Sequence, residues 1–104
     1  MKFSELKAED IPNEFLRIGE QVNKGKRQLA EAELAHRIWE AGESKRIAEA
    51  SDKKPAEAQI EREVRCNLTY EQNKKVLAAV EFGLRESEIE LEALRIYAAL
   101  VTKQ

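Results

Sequence analysis

The sequence predicts an all-α fold: a long antiparallel helical hairpin with a short intervening helix, coiled-coil-like and oligomerising. Three observations carry this. Charged residues make up 37% of the 104 positions and aromatics 6%, with four glycines and two prolines, a composition of long helices. Apolar residues recur every seven positions along two extended stretches, the signature of helices packed along a seam. No stretch alternates apolar and polar residues as a half-buried strand does. The length predicts one domain spanning residues 1–104. It divides into an arm (1–11), a long helix (12–50), a turn with a short helix (51–68) and a second long helix (69–102).

The arm opens with Phe3 and Leu6 three apart, which predicts a short turn tucked onto the body. Asp10 and Pro12 mark a helix start, a capping-type residue followed by proline in the first turn. In the first long helix Phe15, Val22, Leu29 and His36 form one seven-residue series. Ile18, Gly25, Ala32 and Trp39 form the matching one. Small seam residues let a partner helix approach closely. Each glycine costs about 1 kcal/mol against alanine in a helix, so kinks are expected near Gly25 or Gly42.

Ser51, Asp52 and Pro55 predict a turn and a fresh start, with Pro55 near the first helical position. The short helix follows, with Ile60 and Val64 on one side. Thr69 and Gln72 fit a capping box for the last helix, and Asn67 is an alternative cap. Six Glu-to-Lys/Arg pairs stand four apart in the favourable direction: Glu20–Lys24, Glu33–Arg37, Glu49–Lys53, Glu61–Arg65, Glu71–Lys75 and Glu81–Arg85. Each adds about 0.2–0.5 kcal/mol of helix stability.

The last helix carries two apolar stripes. Tyr70, Leu77, Leu84, Leu91 and Ala98 repeat at seven, joined by Asn73, Val80, Ser87, Leu94 and Val101. Phe82, Ile89, Ala93, Ile96 and Leu100 form a second stripe, divided from the first by Glu81, Arg85, Glu88, Glu92 and Arg95 on one side and Glu86 and Glu90 on the other. A helix this long spans about 50 Å, whereas a compact domain of about 100 residues has a radius of gyration near 13 Å. An extended hairpin follows, and it buries one stripe of each helix. The second stripe predicts a homo-oligomer interface at Phe82, Ile89, Ala93, Ile96 and Leu100. The alternative is a monomer in which the short helix and the arm cover it.

Little in the sequence points to catalysis, and the expectation is a non-enzyme with no cofactor and no metal. His36 and Cys66 sit on separate predicted helices, so they make a poor nucleophile–base pair. At a helix junction, Cys66 is expected to be a small buried apolar residue. Glu33 and His36 match one Glu-x-x-His half-site, where a di-metal centre needs two. There is no Gly-rich phosphate loop, zinc ligand set or nucleophile elbow. Trp39 and Gly42 are three apart, which does not meet the Trp-x-Gly motif of secreted helical hairpins. The single cysteine suits a reducing compartment. No apolar run approaches the roughly 18 residues of a membrane span, and the N-terminus lacks an apolar signal core. The expected setting is cytoplasmic.

Eighteen basic residues face twenty acidic ones, which excludes a general polycation. The balance is uneven, however. Residues 22–54 hold eight basic and six acidic residues, and residues 76–102 hold two and five. Lys24, Lys26, Arg27, Lys45, Arg46, Lys53 and Lys54 are therefore the candidate nucleic-acid contacts, with Trp39 or Tyr70 able to stack a base if exposed. The bland reading is ordinary solvated charge with Trp39 packed in the seam.

The order of elements, with "MKFSEL" at Met1–Leu6, "IEREV" at Ile60–Val64 before a polar break, and "LEALR" at Leu91–Arg95 in the closing helix, resembles the UvsY-like recombination mediators of phages. The resemblance covers most of the chain in layout through short motifs. It implies a homo-oligomeric helical scaffold that binds single-stranded DNA and assists recombinase loading beside a single-strand binding protein. The host-cell cytoplasm would then be its location. It also implies phosphate contacts by Lys45, Arg46, Lys53 and Lys54. The turn lacks the family's aromatic pair, and this chain is shorter than the usual mediator. The other expectation is a helical protein–protein interaction module, an adaptor or inhibitor, without DNA binding.

Overall fold

A computed structural model describes residues 3–50 and 55–102. It is all-α: two 3₁₀ turns at Phe3–Glu5 and Ala8–Asp10, then α1 (Ile11–Ala50), α2 (Glu57–Arg65) and α3 (Leu68–Thr102), with no strand among the described residues. The chain divides into two compact units, one combining residues 1–28 with 80–104, the other comprising residues 29–79.

In the first unit α1 and α3 run antiparallel, since Arg17 meets Glu90 while the later Gly25 meets the earlier Leu84. Its core is Ile11, Ile18, Val22 and Leu94, with Ile18 and Leu94 fully buried. Ile18, Val22 and Leu94 are seam positions, as the seven-residue repeat predicts, and Ile11, assigned to the arm by the sequence, extends the Ile18 series by one heptad. Ser87 also lies on the seam and satisfies its hydroxyl by donating to Gly83 O, 3.2 Å away, a local bond that lets a serine sit in an apolar stripe. The arm docks here. Leu6 N–H closes a turn onto Phe3 O at 2.9 Å, the Phe3 and Tyr97 rings lie 6.3 Å apart, and Tyr97 donates its hydroxyl to Leu6 O at 3.0 Å.

Gly25 explains how closely α1 and α3 approach. A Cβ at this position would stand 3.1 Å from Leu84 Cδ1 and 3.4 Å from its Cβ. Neither Gly25 nor Gly42 interrupts α1, which runs helical through both. The expected kinks do not break the helix, because seam packing outweighs the small propensity cost of single glycines.

In the second unit His36, Ile47 and Val64 are buried. Here too α1 and α3 are antiparallel, as His36 contacts Tyr70 and the later Glu43 reaches the earlier Asn67. Four expectations are corrected. Pro55 does not open α2: Ala56 is the N-cap, and Glu57 the first helical residue. Thr69 does not cap α3. Asn67 does, its Oδ1 accepting the Thr69 N–H at 2.8 Å, because Leu68 and Thr69 are already helical. Cys66 is exposed rather than buried, since it ends α2 with its own N–H donated to Arg62 O. Asp10 lies in a 3₁₀ turn that runs directly into α1, so the helix starts one residue before Pro12.

Of the expected pairs along the helices, Glu33–Arg37 and Glu71–Lys75 form, at 3.9 and 3.5 Å. Glu20–Lys24, Glu61–Arg65 and Glu81–Arg85 do not close to ion-pair distance among the described residues. Glu49–Lys53 lies partly outside them, and Glu49 instead stands 3.9 Å from Lys45.

Candidate interaction surface

At 100° per residue, the Phe82 stripe lies about 160° round α3 from the buried seam. It is open to solvent. Phe82 is 65% exposed, Ile89 64%, Ile96 57% and Leu100 62%, and Ala93 is exposed with them. Scattered surface leucines are ordinary. A row of this length on one helix face is not, and contiguous apolar surface marks interaction sites. With the arm already docked on Tyr97, the stripe stays uncovered. Elsewhere the exposed apolar side chains are fewer per face: Leu16 alone in the first unit, Leu34 with Ile38 on α1 of the second, and Leu68 and Val76 on α3.

The edges of this face differ. On one edge Glu90 is drawn toward α1: Arg17 Nη2 donates to Glu90 Oε1 at 3.1 Å while also binding Glu14 at 2.8 Å. The Arg17 hydrogen bond holds the Glu14 carboxyl below its ordinary value, and the two carboxylates raise Arg17 in turn. On the other edge Arg85 makes no ion pair among the described residues, and Glu92 pairs with Arg95 at 3.4 Å. Sequence reasoning took Glu90 as a divider between stripes and missed its tie to Arg17. Its signal was their position, one acid and one base flanking the same seam.

The candidate nucleic-acid residues of the first unit do not form one face. Lys24, Lys26 and Arg27 are exposed and pair with no carboxylate among the described residues. They point in different directions, Lys24 and Lys26 about 200° apart round the helix. Arg46 is held by Glu43, whose carboxyl is lowered first by that hydrogen bond. Lys45 stands beside Glu49. Lys53 and Lys54 lie outside the described residues. Trp39 and Tyr70 are half-buried and already engaged, Trp39 stacked on His36 at 5.9 Å and Tyr70 tilted against it at 5.3 Å, with Lys74 over the Tyr70 ring.

His36 is 6% exposed. Its Nε2 lies 2.5 Å from Glu40 Oε1, an ion-pair distance without hydrogen-bond orientation, so both ring nitrogens lack a hydrogen-bond partner. The ring lines a cleft of about 230 Å³ with Ala32, Trp39, Thr69, Asn73 and Leu77. No hydrogen bond joins His36 to Cys66 or Glu33, and no group of three or more metal-ligating side chains occurs among the described residues. No described helix is long and apolar enough to cross a membrane.

These features define a class, a helical module whose most prominent surface is an apolar helix face. Comparison with protein-family models, curated proteins and solved structures finds no match.

Proposed function

We propose that this chain is a non-enzymatic helical interaction module that assembles with further copies of itself through the outward face of α3. The observation that carries this reading is the exposed row Phe82, Ile89, Ala93, Ile96 and Leu100. Fully burying a large apolar side chain is worth about 1.5–3 kcal/mol. Four such side chains from each of two copies, each more than half exposed, compete with an association cost of about 4–15 kcal/mol. The test is light scattering and native mass spectrometry at micromolar concentration. The wild-type chain is expected to assemble and Ile89→Asp to be a monomer with unchanged helical circular dichroism. A monomeric wild type would sink the reading.

A second reading keeps the recombination-mediator role, a scaffold that binds single-stranded DNA and assists recombinase loading. What favours it is the exposed set Lys24, Lys26 and Arg27, with no carboxylate bound to it. Assembly would repeat these scattered cations and add avidity. Labelled single-stranded DNA is expected to bind at low salt and release at high salt, with Lys24→Gln/Lys26→Gln/Arg27→Gln weakening it. Absence of binding at low salt leaves the interaction module alone.

A further inference from the structure

The outward face of α3 has a repeat of its own. Phe82, Ile89 and Ile96 recur at seven, and Glu86, Ala93 and Leu100 recur at seven between them. This is a complete second heptad frame, with one core position large and the other occupied by a charge, a small residue and a leucine. Arg85 and Glu92 occupy one flanking edge, also seven apart. Because the frame is short and uneven, the possible ways of pairing it with itself are not equivalent.

Parallel in-register pairing sets each core position against its own copy, since equivalent positions face each other in such coiled coils. Glu86 would then face Glu86 of the partner subunit inside the seam. Antiparallel pairing with Phe82 opposite Leu100 of the partner subunit brings Glu92 against Glu92 of the partner subunit, and Glu90 against Glu90 of the partner subunit, next to the two-fold axis. Shifting this register by one heptad removes both clashes. Phe82 then packs on Ala93 of the partner subunit, large against small. Ile89 lies near the axis beside Glu86 of the partner subunit. Arg85 meets Glu92 of the partner subunit, and by symmetry Glu92 meets Arg85 of the partner subunit.

We infer that the α3 face is an isologous interface in which a second copy of this chain pairs antiparallel in this register, with two reciprocal Arg85–Glu92 ion pairs selecting it. The inference rests on the self-assembly reading above and specifies its geometry. A two-fold interface requires a self-complementary patch, and here Phe82 with Ala93 in size and Arg85 with Glu92 in charge are self-complementary. Ile96 falls opposite Ala79 of the partner subunit and Leu100 opposite Lys75 of the partner subunit. Arg85 is free for this role, with no ion-pair partner among the described residues. Glu92 holds only an exposed Arg95. Glu86 is the unfavourable member, a charge retained in the seam near the axis.

Sedimentation equilibrium of the full chain tests this, with reductant present because Cys66 is exposed. A dimer is expected. Arg85→Glu turns two attractive pairs into two repulsive ones and should raise the dissociation constant about ten-fold, given roughly 0.2–1 kcal/mol per exposed pair. Arg85→Glu with Glu92→Arg should restore it. Arg85→Glu with Glu90→Arg, the swap that suits parallel pairing, should not. Glu86→Leu should tighten the dimer. Arg85, Glu86 and Glu92 are exposed, so circular dichroism of their variants should stay that of the wild type. Glu90→Arg also removes the Arg17 bond, and its helicity is checked before its dimer is read. A dimer indifferent to Arg85→Glu, or rescued through Glu90, overturns the register and leaves self-assembly standing. A wild type that stays monomeric overturns both.

Discussion

Gly25 offers the sharpest test of how α1 and α3 pack, because the other glycines supply internal controls. All described glycines have ordinary negative φ, so alanine fits the backbone at each. At Gly19, Gly42 and Gly83 an added Cβ meets nothing within 4 Å. Alanine there should gain the full helix-propensity difference, about 1 kcal/mol each. At Gly25 the same Cβ comes 3.1 Å from Leu84 Cδ1, 3.4 Å from its Cβ and 3.5 Å from its Cα. The methyl can rotate away, but the Cβ and Cα move only with α3 itself. Gly25→Ala should therefore gain less than Gly42→Ala. Gly25→Leu, which carries atoms into the space Leu84 fills, should lose about 1–3 kcal/mol by overpacking. The assay is urea unfolding followed by circular dichroism at fixed protein concentration. Midpoints should rank Gly42→Ala above wild type and wild type above Gly25→Leu, with similar m-values. A Gly25→Leu protein as stable as Gly42→Ala would refute close approach of the two helices at this point.

Three further outcomes are expected. Asn67→Ala removes the N-cap of α3 and its 3.4 Å contact to Glu43; the cost should be about 0.5–2 kcal/mol, read from the urea midpoint, while Thr69→Ala should cost less. Tyr97→Phe deletes the hydroxyl that anchors Leu6 O, which should cost about 0.5–1.5 kcal/mol and speed amide exchange in the arm. The Glu14 and Glu43 carboxyls are lowered from 4.5 by Arg17 and Arg46, so they bind fewer protons folded than unfolded. Their contribution to stability is present above pH 4.5 and is lost as pH falls through the lower folded values. Arg17→Gln and Arg46→Gln should flatten that acid limb of the urea-midpoint profile.

Much of the fold was legible because periodicity reports burial directly. Ile18, Val22, His36 and Leu94 were placed on seams by spacing alone, and all are buried. The seam serine and glycine were visible as irregularities, but their roles were not. Gly25 needs its facing residue named, and Ser87 needs a carbonyl four residues back. Capping was misread because Asn67 and Thr69 are both competent caps. The choice between them depends on where α2 ends, at Arg65, one residue past the buried Val64, and neither capping residue marks that end by itself. Basic residues were found by composition, which carries no direction. Spacing of two along a helix sends Lys24 and Lys26 to nearly opposite sides, so a charge-rich segment did not become a charged face.

His36 separates a seam built only for stability from one that retains a polar group at a cost. Its ring is nearly fully buried, stacked on Trp39 and tilted against Tyr70, with Nε2 2.5 Å from Glu40 Oε1 but neither nitrogen in hydrogen-bond orientation. Leaving a buried polar group unsatisfied costs about 1–3 kcal/mol, and leucine is close to histidine in volume. His36→Leu should therefore stabilise the protein by about that amount, apart from any loss of ring stacking. The control is His36→Gln, which keeps a polar side chain and should gain nothing. Thermal and urea unfolding at pH 7 measure both. If His36→Leu is neutral or destabilising, the imidazole is satisfied in solution, by Glu40 at Nε2 or by water entering the cleft beside Asn73. The seam there would then hold a satisfied polar group, and its stability would come from the rings around His36 rather than from exclusion of polar groups.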